Sequence, residues 1–210
     1  MMMEDFGARI ASVWKGLRPT TRSLVESALL STATTTTNLP AASRASASYD
    51  ARAEWELSRL LAALDERATE PGATILSTEQ SRELVRMAET CALVLHKEAR
   101  SAEVFGQLLE RALRSRNYTR VDNLADTLSA RLAPSEVCEL VRHANVAVRA
   151  IAQEALLHTP TGVLVELLGD PVDCEVARDA LERQVSEFGS EEARWVVAAL
   201  EASDAAEDDI

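Results

Sequence analysis

Apolar residues recur at three- and four-residue steps along most of the chain and rarely alternate with polar ones, a pattern that predicts helices and almost no strand. The clearest stretch runs from Asn145 to Leu156. A polar turn residue is followed there by Val148, Ile151, Ala152, Ala155 and Leu156 on one face. The small alanines on that stripe let a neighbouring helix come close. Near the start, Phe6, Ile10, Val13, Trp14 and Leu17 mark an amphipathic helix over residues 5–18, and a short second helix is expected from Thr20 to Thr32. From about Tyr49, Ala53, Leu57, Leu60, Leu61, Leu64 and Ala68 predict a helix that stops at Pro71-Gly72. Its hairpin partner opens with a capping box, Ser77 to Gln80, and carries Leu84, Met87, Ala88, Cys91 and Leu95 inward. A third helix spans about Ala102 to Ser115, with Val104, Phe105, Leu108, Leu109, Ala112 and Leu113 inward, and a fourth about Tyr118 to Leu132.

Related spacings then repeat, so the Asn145 stretch reads as one tile of an array. Val121, Leu124, Ala125 and Leu128 match Val148, Ile151, Ala152 and Ala155 at an offset of 27. Asn145, Ala152, Ala155 and Leu156 match Asp170, Ala177, Ala180 and Leu181 at an offset of 25. The preceding helices correspond too: Pro134 and Pro160 both suit a first helical position, followed by Val137, Leu140 and Val141 in one unit and Leu164, Leu167 and Leu168 in the next. Their offset of 27 implies a turn two residues shorter in the second unit. A last helix from Ser190 faces Ala193, Val196, Val197 and Leu200 inward. Trp195 points about 160° away, beside Ala198, Ala199 and Ala202.

Composition changes this picture only at its edges. Between Ser31 and Ser48 the chain is mostly Ala, Ser and Thr with a single charge, Arg44, and reads as a flexible linker. The expected organisation is an N-terminal amphipathic helical segment, 1–30, a linker, 31–48, a helical repeat domain, 49–202, and an acidic tail, 203–210. The chain of 210 residues is 47% hydrophobic and only 4% aromatic, material for packed helices. A net charge of −12 argues against a general nucleic-acid binder. Cys91, Cys138 and Cys174 are far apart and odd in number, which argues against a disulfide framework or zinc site and for buried free thiols in a reducing compartment. With no membrane-spanning apolar run and no secretory leader pattern, the expected location is cytoplasmic.

Asn145-x-x-Val148-Arg149 followed by Ala152 resembles the HEAT-like family of α-helical repeats, and the short period is similar to the leucine-rich-variant repeats. The resemblance covers residues 134–187 well and 102–132 weakly. It implies an all-α fold, a short α-solenoid of helix hairpins with a groove that binds other proteins. It also implies structural roles for Asn145, Arg149 and Asp170, with Arg149 bonding to turn acids of neighbouring repeats. Cys174 stands where that arginine would recur, so the ladder is expected to break after one rung.

The candidate partner-binding residues follow from this frame. If the second helices line the inner surface, Gln153, Glu154 and His158 in one unit and Arg178, Asp179 and Arg183 in the next form a row. A basic cluster of Lys97, Arg100, Arg111, Arg114, Arg116 and Arg120 offers charge for an acidic peptide or a phosphate group. Trp195 among alanines makes a flat patch, suited to a homo-oligomer interface or to docking of the N-terminal helix. The stripe over residues 5–18 suits an anionic membrane surface, a partner's groove or its own domain. No residue pattern calls for catalysis, a metal or a cofactor. The expected function is a non-enzymatic protein-protein interaction module or scaffold, with a peripheral membrane adaptor or an enzyme's regulatory subunit as alternatives.

Overall fold

A computed structural model describes residues 3–33, 49–70 and 76–207, and every regular element among them is helical. Contacts divide the chain into two units, Met1–Ala99 and Arg100–Ile210.

In the first unit a single 3-10 turn, Met3–Phe6, precedes α1, Ala8–Gly16, and α2, Pro19–Ala33. The helix expected over residues 5–18 is broken at Gly7, whose φ of +119° is a conformation that side-chain-bearing residues rarely adopt. The break redirects the chain, and Arg67 Nε holds it by donating to the Phe6 carbonyl at 2.9 Å. α3, Ala51–Thr69, and α4, Thr78–Glu98, then form an antiparallel hairpin. Asp50 caps α3 by accepting from Arg52 N and Ala53 N, and the capping box at Ser77 and Gln80 opens α4 as expected. Leu57, Leu60, Leu61 and Leu64 of α3 meet Leu84, Met87, Ala88, Cys91 and Leu95 of α4 in the core. α1 packs on α3 and α2 on α4, and Phe6, Ile10 and Leu17 are buried in the process. Residues 34–48, which hold most of the expected linker, and 71–75, which hold Pro71-Gly72, lie outside the described residues.

The N-terminal helices are tied down by a buried carboxylate. Glu56 of α3, 4% exposed, accepts from the Thr21 hydroxyl at 2.6 Å, the Arg18 amide at 3.2 Å and the Arg18 Nε at 3.1 Å. Arg52 reaches it from one turn earlier at 3.3 Å, and Arg18 also bridges to Asp50 at 2.8 Å.

The second unit contains α5, Ala102–Arg114, α6, Tyr118–Arg131, α7, Pro134–Val141, α8, Val146–Leu157, α9, Thr161–Leu167, α10, Cys174–Phe188, and α11, Glu191–Glu207. α5 pairs with α6, α7 with α8 and α9 with α10. In addition α5, α7, α9 and α11 touch in succession, as do α6, α8 and α10, so consecutive hairpins stack in two layers. Of the stripes the periodicity selects, Phe105, Leu108 and Leu109 in α5, Leu124 and Leu128 in α6, Val148, Ala152 and Leu156 in α8, and Ala177 and Leu181 in α10 are buried, whereas Leu113, Ala125, Val141, Ile151, Leu167 and Leu168 are only half-buried, as are Val196, Val197 and Leu200 of α11.

Three local expectations are corrected. Pro134 is in the first turn of α7, but Pro160 is the N-cap of α9. The second inner turn is not shorter: Asp170 accepts from Val172 N just as Asn145 accepts from Ala147 N, yet an extra turn intervenes before α10 starts at Cys174. Cys174, at that exposed helix start, is only half-buried, whereas Cys91 and Cys138 are fully buried. At the other end, α11 continues through Glu207 into the expected acidic tail, whose residues 208–210 lie outside the described residues.

Gly106 sets the approach of α5 to α7. A Cβ built there meets the His143 ring at 3.0 Å and Leu140 Cδ2 at 3.5 Å. Gly106→Val is therefore expected to force the ring aside and destabilise this unit by about 2 kcal/mol. The measurement is the urea midpoint against wild type, and an unchanged midpoint would show that α7 retreats freely. By contrast, α5 ends with Arg116 at φ +53°, where glycine would be easier. Asn117 N–H to Ala112 O and Arg116 N–H to Leu113 O close that end.

Candidate protein-binding face

The outward side of the α6, α8 and α10 layer is the surface that follows from the stacking. Each helix buries one stripe, so the residues about half a turn away project outward. They are Asn123 and Asp126 in α6, Ala150 and Glu154 in α8, and Glu175, Asp179 and Glu182 in α10, and all are exposed. Because α6 touches α8 and α8 touches α10, Asp126, Glu154 and Asp179 form a row with one acid per helix.

The expected contact residues are distributed unevenly around this row. Glu154 and Asp179 belong to it. His158 Nε2 lies 3.4 Å from Glu154 one turn away and stacks its ring 5.5 Å from Phe188. Arg178 pairs with Glu182 at 3.6 Å, and Arg183 pairs with Glu187 at 2.9 Å. Such exposed pairs on one helix contribute about 0.3–0.5 kcal/mol each and hold side chains along the helix. Gln153 is half-buried on the flank of the row. Glu154 and Asp179 stand outward on α8 and α10, Arg178 and Arg183 are half-buried on either side of Asp179, and His158 follows the end of α8.

The basic residues of the α5–α6 turn lie apart from this row in sequence and in charge. Arg111 is half-buried, and its guanidinium pKa is lowered by burial first and then by the nearby charges of Arg120 and Arg114. Trp195 is 78% exposed on α11.

The residues that lock successive hairpins together differ from those expected. Arg149 Nη1 donates to the carbonyls of His143 and Ala144, at 2.8 and 2.9 Å, and so closes the turn of its own hairpin. The link to the next hairpin is Arg142, which donates to buried Asp173 at 2.8 Å and to the Val172 carbonyl at 3.2 Å. A second link is Gln184 of α10. Its amide nitrogen donates to the Leu157 and Thr159 carbonyls at the end of α8, at 3.1 and 2.7 Å, and its oxygen accepts from Thr161. One signal for Gln184 was visible beforehand, a polar residue three and four positions from Leu181 and Ala180 on the buried stripe. Nothing comparable marked Arg142.

No family model, curated protein or solved structure matches the chain. The reading of the surface therefore rests on its own geometry.

The remaining chemistry is quiet. Burial pushes the Cys91 thiol up to about 12, and burial aided by the Asp173 charge pushes Cys138 up to about 11, so both are held as thiols. Among the described residues no three His, Cys, Asp or Glu side chains converge as a metal site, and no helix is long and apolar enough to cross a membrane. In the first unit α2, α4 and the start of α3 surround an open hollow of about 700 Å³, with Leu24 and Leu93 on its wall and the Tyr49 to Glu54 hydrogen bond at its edge.

Proposed function

We propose that the chain is a non-enzymatic interaction module, in which the second unit is a short HEAT-like α-solenoid that holds a protein partner along the face of α6, α8 and α10. One observation supports this above the others: three adjacent helices each expose an acid opposite the buried stripe, Asp126, Glu154 and Asp179. Stacked helices repeat a contact about every 10 Å, a spacing that suits an extended segment lying across them. Asp122, Glu175 and Glu182 add exposed negative charge on the same helices, whose arginines, Arg120, Arg131, Arg149, Arg178 and Arg183, are all half-buried on the flanks. The complementary partner carries a basic segment.

The test is the triple variant Asp126→Lys, Glu154→Lys, Asp179→Lys, whose exposed sites leave the fold within about 0.5 kcal/mol per site. A partner captured by the wild type at low salt is expected to be lost by the variant, and capture by the wild type to fade between about 50 and 300 mM salt. Retention of that partner by the triple variant would overturn the reading. The membrane-adaptor alternative is less favoured, because the stripe that would touch lipid has Phe6, Ile10 and Leu17 buried in the first unit.

A further inference from the structure

The outward face of α11 has a self-complementary pattern. Taking Trp195 as the reference direction, a helical advance of about 100° per residue places Ala198, Ala199 and Ala202 within about 60° of it. Arg194 and Glu201 lie together on one flank, about 100–120° away. All six are exposed, and neither Arg194 nor Glu201 makes an ion pair among the described residues. On the opposite side of the helix, Ala193 is buried against α9 and α10.

We propose that this face binds α11 of a second copy, antiparallel, about a two-fold axis passing between Ala198 and Ala199. Under that operation Trp195 of each copy lies over Ala202 of the other, with Ala198 and Ala199 at the centre leaving the two helices room to approach, so the one bulky side chain meets a gap left by small ones. The same axis keeps the Arg194 and Glu201 flanks on one side. It brings each arginine within about 3 Å, measured along the helix axis, of the other copy's glutamate, from the 1.5 Å rise per residue. Two symmetric ion pairs then bracket the tryptophans, in the way flanking charges set orientation in paired helices. A parallel arrangement would stack tryptophan on tryptophan and arginine near arginine.

The occupant is a second copy because size and charge match under one symmetry operation. A patch of one tryptophan and three alanines is smaller than the roughly 800 Å² per partner of a stable complex, so the association is transient, with a dissociation constant of about 100 μM. This inference is independent of the acidic row on α6, α8 and α10, and either reading can fail alone.

Sedimentation equilibrium of the full chain from about 5 μM to 1 mM tests it. Wild type is expected to shift from monomer to dimer across that range, and Trp195→Glu to weaken dimerisation by about 30-fold or more. Arg194→Glu is expected to weaken it roughly fivefold, and Arg194→Glu combined with Glu201→Arg to return it to within about twofold of wild type. All three positions are exposed, so unchanged circular dichroism melts serve as the folding control. A monomeric wild type at about 1 mM, a dimer indifferent to Trp195→Glu, or a charge swap that fails to restore association would each overturn the proposal.

Discussion

Replacing Glu56 with alanine is expected to release the N-terminal helices from the first unit and to destabilise that unit by about 3 kcal/mol. The carboxylate is buried and accepts from the Thr21 hydroxyl, the Arg18 amide and the Arg18 guanidinium. Its removal leaves Thr21, which is 1% exposed, without its acceptor and half-buried Arg18 with only Asp50. Such orphaned groups account for most of the cost, because the lost protein partners are not replaced by water. The measurements are the thermal unfolding of the variant and the rate of tryptic cleavage after Arg9, Lys15 and Arg22, which should rise as α1 and α2 detach. Unchanged cleavage would show that Phe6, Ile10 and Leu17 hold the helices without the carboxylate.

The same group makes stability depend on pH in a defined direction. Burial pushes the Glu56 pKa up, but the hydrogen bonds from Thr21 and Arg18 outweigh it and leave the carboxyl below its ordinary value of 4.5. A group with a depressed pKa in the folded state contributes fully above its unfolded value and loses that contribution as the pH falls through the folded one. Wild type should therefore be insensitive to this group from pH 7 down to about 5 and lose stability below about 4.5. Glu56→Gln should remove that portion of the acid dependence.

The second large effect is expected at Gln184. Gln184→Ala should destabilise the second unit by about 3 kcal/mol, read as the urea midpoint at constant slope. The side chain bridges α10 to the last carbonyl of α8, Leu157 O, and to Thr159 O in the turn after it, and accepts from Thr161. Carbonyls at a helix end have no donor within the helix, so the amide supplies what the backbone cannot. Thr161→Val removes only one bond and should cost about 1 kcal/mol. Gln184→Glu should cost more than Thr161→Val at neutral pH, since an acceptor would then face two carbonyl acceptors. If Gln184→Ala costs no more than Thr161→Val, the bridge to α8 carries no weight.

Much of the architecture is written in the periodicity of individual helices. Leu84, Met87, Ala88, Cys91 and Leu95 share one face because an α-helix turns once in 3.6 residues, and all five are buried. The capping box at Ser77 and Gln80 and the turn bond at Asn145 are likewise local, made by residues two or three positions apart. Exposure of Trp195 followed from the same arithmetic.

What the periodicity left open is which surface covers which. The stripe over residues 5–18 was compatible with lipid, a partner or its own domain, and the three-dimensional fold sends Phe6, Ile10 and Leu17 into the first unit. Gly7 breaks that helix through a backbone angle that spacing does not encode. Glu56, Asp173 and Gln184 find partners 23 to 38 residues away in sequence. Arg142, rather than Arg149, joins the hairpins because Asp173 packs near it only after α9 and α10 have stacked. A helix's apolar face is a property of its own turn, set by neighbours a few residues off. The partner of that face, and of each buried charge, is chosen by the packing of distant elements, and so is decided by the tertiary structure alone.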